Sequence, residues 1–101
     1  MSQLEGQNNA ITVTPGPSLA GERCRELREE FKQLVSAGQT NLIVDLRDTA
    51  EISPSGIYLL LAACHSLRAK AGGHLVLANL ADGPRQLLVD LHLDGILDLS
   101  V

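Results

Sequence analysis

The apolar positions of this chain change their period several times, and each change marks an element. Ala10-Ile11-Thr12-Val13 reads as a short strand, and the polar Gln7-Asn8-Asn9 before it reads as a turn, which allows an initial hairpin. Pro15-Gly16-Pro17-Ser18 then breaks the chain. Beyond it Cys24, Leu27, Phe31, Leu34 and Val35 recur at helical spacing, while Arg23, Arg25, Glu26, Arg28, Glu29 and Lys32 take the opposite face. That pattern predicts an amphipathic surface helix stopped at Gly38. Asn41 to Leu46 is a nearly continuous apolar run of strand length, as expected of a central strand covered on both faces.

After a short loop, Ser53-Pro54 opens a second helix that should run to about Ala71 and end at Gly72-Gly73. Leu75-Val76-Leu77-Ala78 follows as a second central strand. Asp82-Gly83-Pro84 starts a shorter helix carrying Leu87, Leu88 and Leu91, and Asp94-Gly95 turns the chain into a last strand, Ile96 to Leu99. From Asn41 onward the order is strand, helix, strand, helix, strand, which implies parallel neighbours joined by right-handed crossovers. The expected fold class is α/β: a mixed β-sheet with a parallel βαβαβ core, helices packed on it, and the front hairpin adding one or two strands. No internal repeat, low-complexity tract or linker divides the chain, so a single domain over residues 1–101 is expected.

Composition narrows the function. At 101 residues the chain can bury one hydrophobic core, and 45% hydrophobic with 20% charged residues is ordinary for a globular protein. One Phe, one Tyr and no Trp leave no aromatic platform for stacking bases, and a net charge of −4 would repel a phosphate backbone, so nucleic acid is an unsuitable partner. Cys24 and Cys64 lie far apart, each in an apolar helical pattern, and read as buried structural thiols. The polar start, Met1 to Asn9, carries no signal-peptide pattern. The longest apolar run, Ile57 to Cys64, is far below the ~20 residues that span a bilayer. A cytoplasmic protein without direct membrane insertion is expected.

Catalytic chemistry is largely missing. Neither Gly-x-Gly-x-x-Gly nor Gly-x-x-x-x-Gly-Lys-Ser/Thr occurs, and no Gly-x-Ser-x-Gly nucleophile elbow is present. His65, His74 and His92 have no spacing that would bring two together on one helix, so no metal site is expected. Asp45 reads as an aspartate at the mouth of the sheet bonded to loop amides rather than as a catalytic carboxylate. No enzyme activity and no cofactor are expected.

The exception is the loop Asp48 to Gly56. Ser53 is a good N-cap and Pro54 a good first helical residue, so capping accounts for both. Ser55 and Gly56 then fill the first turn, where alanine would serve better; glycine costs about 1 kcal/mol there and often marks a close approach of another backbone. The corner is therefore read as a docking site for a protein partner, with Glu51, Ser53, Ser55, Gly56 and Tyr58 as the contact residues. A bulky or charged residue at Ser55 or Gly56 is expected to abolish capture and leave the fold intact. A phosphate on Ser53 or Ser55 would be received well by the helix N-terminus and would repel a docked partner.

Leu42-Ile43-Val44-Asp45-Leu46, Ser53-Pro54-Ser55-Gly56-Ile57, Leu67 to Leu75 and Leu93-Asp94-Gly95-Ile96-Leu97 stand in the order and spacing that resemble a STAS domain, as found in bacterial anti-sigma factor antagonists and in the cytoplasmic tails of sulphate transporters. The resemblance covers most of the chain from Gly16 on. It implies a non-enzymatic domain that binds a serine kinase doubling as an anti-sigma factor, and so acts in transcription regulation. In that family an Asp-Ser-Ser-Gly or Asp-Ser-Thr-Gly motif opens the second helix, and phosphorylation of its first hydroxyl residue abolishes binding. Counted back from Gly56, the family's aspartate is Ser53 here and its phosphorylated serine is Pro54, which has no hydroxyl. Phosphorylation, if retained, falls to Ser53 or Ser55. The family's acidic residue before the first helix is also replaced, by the stretch Gly16-Pro17-Ser18-Leu19-Ala20. A further role that the resemblance implies is that of a subunit in a membrane lipid or anion transport assembly.

Overall fold

The computed structural model describes residues 10–99. Their elements follow in the order β1 (Ile11–Val13), β2 (Ser18–Leu19), α1 (Glu22–Ser36), β3 (Asn41–Asp45), β4 (Glu51–Ile52), α2 (Pro54–Ala71), β5 (His74–Ala78) and α3 (Asp82–Asp90). The main sheet has the order β1-β3-β5, and both of its ladders are parallel. Parallel neighbours need a crossover, which α1 supplies between β1 and β3 and α2 between β3 and β5. β1 is present as expected; the turn and partner strand of the expected hairpin fall in residues 1–9, outside the described residues.

Register sorts the side chains. Leu42 lies beside Ile11 and Leu75, and Val44 beside Val13 and Leu77. By the two-residue period of a strand these six share one face, and they join one core cluster with Leu27 and Phe31 of α1 and Leu60 and Leu67 of α2. The opposite face carries Thr12, Ile43 and Val76, of which Thr12 is exposed and the others only half-buried. The central strand is thus fully covered on one face, where a strand covered on both was expected.

Helix α1 buries Cys24, Leu27 and Phe31 and ends where Ala37 and Gly38 turn out of it. Its outer face is laced by Arg23 with Glu26 and Glu30, Arg25 with Glu22, and Lys32 with Glu29. Each such surface pair contributes only a few tenths of a kcal/mol. Helix α2 ends at Gly72, whose left-handed conformation lets its own N–H return to the Arg68 carbonyl and the Gly73 N–H to the Leu67 carbonyl.

Two expectations near the C-terminus are corrected. Of the three leucines expected on this helix, Leu91 lies just past its end at Asp90; Leu88 is buried, with Pro84, while Leu87 and Leu91 are exposed. Leu87 is turned ~100° from Leu88, and Leu91 is the C-cap residue, where the helix has already ended. The last strand, expected over Ile96 to Leu99, is reduced to a single parallel bridge between Val76 and Asp98, closed by the Leu77 N–H on the Asp98 carbonyl at 2.8 Å. Ile96 cannot join that ladder. Its N–H is held in a turn by the Leu93 carbonyl, and its own carbonyl accepts from the Arg68 guanidinium at 3.0 Å.

Candidate functional site

The corner at the start of α2 is built on a two-stranded parallel ladder whose strands are too short to leave a pattern in the sequence. β2 and β4 pair Ser18 with Glu51 and Leu19 with Ile52. The ladder is extended by the Ala50 N–H on the Pro17 carbonyl at 3.0 Å, and by the buried Thr49 hydroxyl, which donates to the Gly16 carbonyl at 2.6 Å. The Pro15-to-Ser18 break and the loop after β3 thus form one stitched surface.

Leu19 is the anchor of the corner. Its carbonyl accepts from the Ser53 N–H at 3.0 Å and from the Ser53 hydroxyl at 3.3 Å. The Ser53 Oγ in turn accepts from the Gly56 N–H at 3.1 Å and caps the helix. Pro54 takes the first helical position, where its missing N–H costs nothing. Both expectations for Ser53-Pro54 therefore hold in the geometry.

Gly56 is where the reading of the sequence changes. It is buried, and a Cβ built on it would stand 2.5 Å from the Leu19 carbonyl oxygen, 2.9 Å from Leu19 Cγ and 3.0 Å from Ile52 Cγ2. A close approach was expected at this glycine and is present, but the approaching backbone is the chain's own β2 and not a partner's. A bulky residue at Gly56 would displace the β2–β4 ladder, so the expectation that such a change leaves the fold intact is corrected.

The corner has an inner and an outer side. Ser53 is half-buried and committed to Leu19 and Gly56, and Gly56 is buried. Glu51, Pro54, Ser55 and Tyr58 face outward, with Tyr58 72% exposed although it is the chain's only tyrosine. Glu51 accepts a long hydrogen bond of 3.4 Å from the Ser18 hydroxyl. The Ser55 hydroxyl has no hydrogen-bond partner among the described residues, and no acidic residue occupies the first turn of α2.

The other candidates do not converge on this corner. Asp45 ends β3 and accepts from the Asn79 side-chain amide at 3.0 Å and from the Arg47 N–H at 3.1 Å. Those two bonds, with the nearby Arg47 guanidinium, hold its carboxyl below the ordinary value of 3.8. It is the amide-bonded aspartate the sequence suggested. His65 is exposed on α2, His74 bonds Asp98 at 2.7 Å, and His92 lies in the turn after α3; among the described residues no group of three His, Cys, Asp or Glu could hold a metal ion. Cys24 and Cys64 are free and buried. No described helix is long and apolar enough to cross a membrane. Sequence reasoning missed Leu19, Gly16 and Thr49, since two-residue strands carry no periodicity and the carbonyls that matter leave no mark on residue type.

The fold has solved counterparts. The anti-sigma factor antagonist SpoIIAA, in its unphosphorylated form, superposes with a TM-score of 0.69 at 20% identity over 80% of this chain and 74% of its own. The protein TM1081 superposes in an NMR structure with a TM-score of 0.77 at 18% identity over 89% of this chain and 72% of its own. A crystal structure of TM1081 from Thermotoga maritima gives 0.77 at 15% identity, over 90% and 78%. At these identities the likeness is one of fold. No curated protein matches the chain in sequence at a significant level. The family model for the STAS domain matches residues 1–100. With all but the final residue covered by that match, and with parallel strands and helices arranged as in SpoIIAA, this chain belongs to the STAS domain family.

Proposed function

We propose that this chain is a single-domain, non-catalytic adaptor over residues 1–101 that captures a regulatory protein of the anti-sigma factor/serine kinase type. Contact is made through the outer side of the 51–58 corner, without phosphorylation at the family's usual position. The observation that carries this reading is the division of the corner. Ser53 and Gly56 are spent on internal anchoring, while Glu51, Pro54, Ser55 and Tyr58 are exposed around a helix start held by Leu19. A large exposed aromatic on a rigid support suits the centre of an interface. Pro54 offers no hydroxyl for a switch.

The test is binding to the purified anti-sigma-type serine kinase of the same cell. Tyr58→Ala and Ser55→Asp should each weaken capture, Tyr58→Ala by about 2 kcal/mol or ~30-fold in Kd, with unchanged thermal melting. A kinase that ignores the wild-type protein, or that binds both variants as well as wild type, overturns the reading.

A second reading, phosphorylation at a shifted site, is favoured at Ser55 over Ser53. The Ser53 hydroxyl both donates and accepts within the fold. The Ser55 hydroxyl is exposed in the first helical turn, where a phosphate gains from the helix dipole. Incubation with the kinase and ATP should place phosphate on Ser55, mapped by mass spectrometry. Absence of transfer to Ser55 removes this reading.

A further inference from the structure

Away from the corner, α1 and α2 pack with a gap between them, a groove of about 280 Å³. Its floor is apolar: Phe31 and Val35 from α1, Leu59 and Ala63 from α2. Small residues at Ala62 and Ser66 keep the α2 rim low and exposed. Arg28 and Lys32, one turn apart, form the α1 wall.

The charge at this groove runs against the rest of the chain. Net charge is −4, and α1 itself carries Glu22, Glu26, Glu29 and Glu30, yet two cations and no carboxylate line the groove. Arg23 and Arg25 are each held by a glutamate at 3.3 Å or closer, and Lys32 sits 3.8 Å from Glu29. Arg28 is exposed and has no ion-pair partner among the described residues.

We propose that this groove binds a free, single-chain aliphatic carboxylate of medium length, with the tail on the Phe31–Leu59 floor and the carboxylate on Arg28. The floor offers no polar group to orient a polar ligand, so the buried part must be hydrocarbon. The cationic wall requires an anionic head, and a guanidinium fork matches a carboxylate with two parallel hydrogen bonds. The volume, about 280 Å³, lies just below the range of small-ligand pockets, roughly 300–1,000 Å³, which limits the occupant to one short chain.

Calorimetric titration of the full chain with sodium decanoate, below its micellar range, tests the site. Saturable one-to-one binding is expected, with octanoate weaker by up to ~15-fold, since each buried methylene contributes about a factor of four. Arg28→Gln should weaken decanoate by about two- to five-fold, as befits an exposed pair, and decanol should bind no better than decanoate binds to that variant. Ala62→Phe places a ring in the groove from an exposed position and should abolish binding while the melting temperature holds. Ser66→Leu gives the same reading if Ala62→Phe proves unstable. The proposal is overturned by an absence of saturable binding to millimolar decanoate, by undiminished binding in the groove-filling variant that folds, or by equal affinity for decanol. Binding to phosphatidylglycerol vesicles without binding to free decanoate overturns it too.

Discussion

Replacing Gly56 by alanine sets two effects of opposite sign against each other. Alanine gains helix propensity over glycine, at most about 1 kcal/mol in a helix interior and less in a first turn. Against this, the new Cβ would stand 2.5 Å from the Leu19 carbonyl oxygen and within 3.0 Å of two further heavy atoms of Leu19 and Ile52. Overpacking of this kind costs ~1–3 kcal/mol. The atom struck most closely is backbone, so a rotamer change cannot relieve it. If β2 recedes, the two hydrogen bonds from Ser53 to the Leu19 carbonyl lengthen as well, each contributing ~0.5–1.5 kcal/mol. The expected net loss is about 2 kcal/mol, which in a domain of this size lowers Tm by roughly 8–16 °C. Gly83 is the control: it also sits in the first turn of a helix, α3, but a Cβ there meets nothing within 4 Å and its φ is not positive. Gly83→Ala should therefore stabilise by ~0.4–1 kcal/mol. Urea denaturation followed by circular dichroism measures both. A Gly56→Ala protein as stable as wild type, or stabilised like Gly83→Ala, would refute the internal explanation of this glycine.

Three further outcomes are expected. Ser53→Ala removes the cap on the Gly56 N–H and the hydroxyl bond to Leu19, and should cost about 1 kcal/mol, read as a Tm lower by ~4–8 °C; no change in Tm would contradict the capping geometry. Thr49→Val keeps the shape of a buried side chain but leaves the Gly16 carbonyl without its 2.6 Å donor, with an expected loss of ~1–3 kcal/mol in urea midpoint analysis. Asp45 has its folded pKa held below 3.8 by Asn79 and Arg47, so its stabilising effect is fully present above that value and is lost as pH falls through the window beneath it. Melting curves from about pH 6 to about pH 3 should therefore show a gap between wild type and Asp45→Asn that narrows on acidification; a gap that widens would contradict the sign.

The long elements were legible because each repeats its signal several times. Leu27, Phe31 and Leu34 announce α1, Leu42 and Val44 announce β3, and Ser53-Pro54 with Gly72 bracket α2 at the ends the structure has. The two-residue strands β2 and β4 repeat nothing, and their pairing joins residues 33 positions apart through backbone atoms that every residue type shares. For that reason Gly56 could be recognised as a site of close approach while the approaching group could not be named. The exposed leucines of α3 mislead for a related cause. Leu87, Leu88 and Leu91 all satisfy a helical stripe, and only the tertiary placement of a short helix decides that Leu88 alone meets the core.

These same contacts bear on how the proposed docking would be controlled. If Pro54 stands where the family carries its modified hydroxyl, as the proposed docking assumes, the proline has a second consequence beyond silence. Proline fixes φ near the helical value, and the next turn is tied by Ser53 and Gly56 to Leu19, so the helix start has little conformational freedom left to lose on association. A partner would then meet a preorganised surface, and binding would respond to the outer residues, Ser55 and Tyr58, rather than to any change at the first helical position. On the proposed reading, control by phosphate would fall to Ser55. A phosphate on Ser53 would remove the hydroxyl proton donated to the Leu19 carbonyl and set negative charge beside that oxygen, and would destabilise the corner it was meant to regulate.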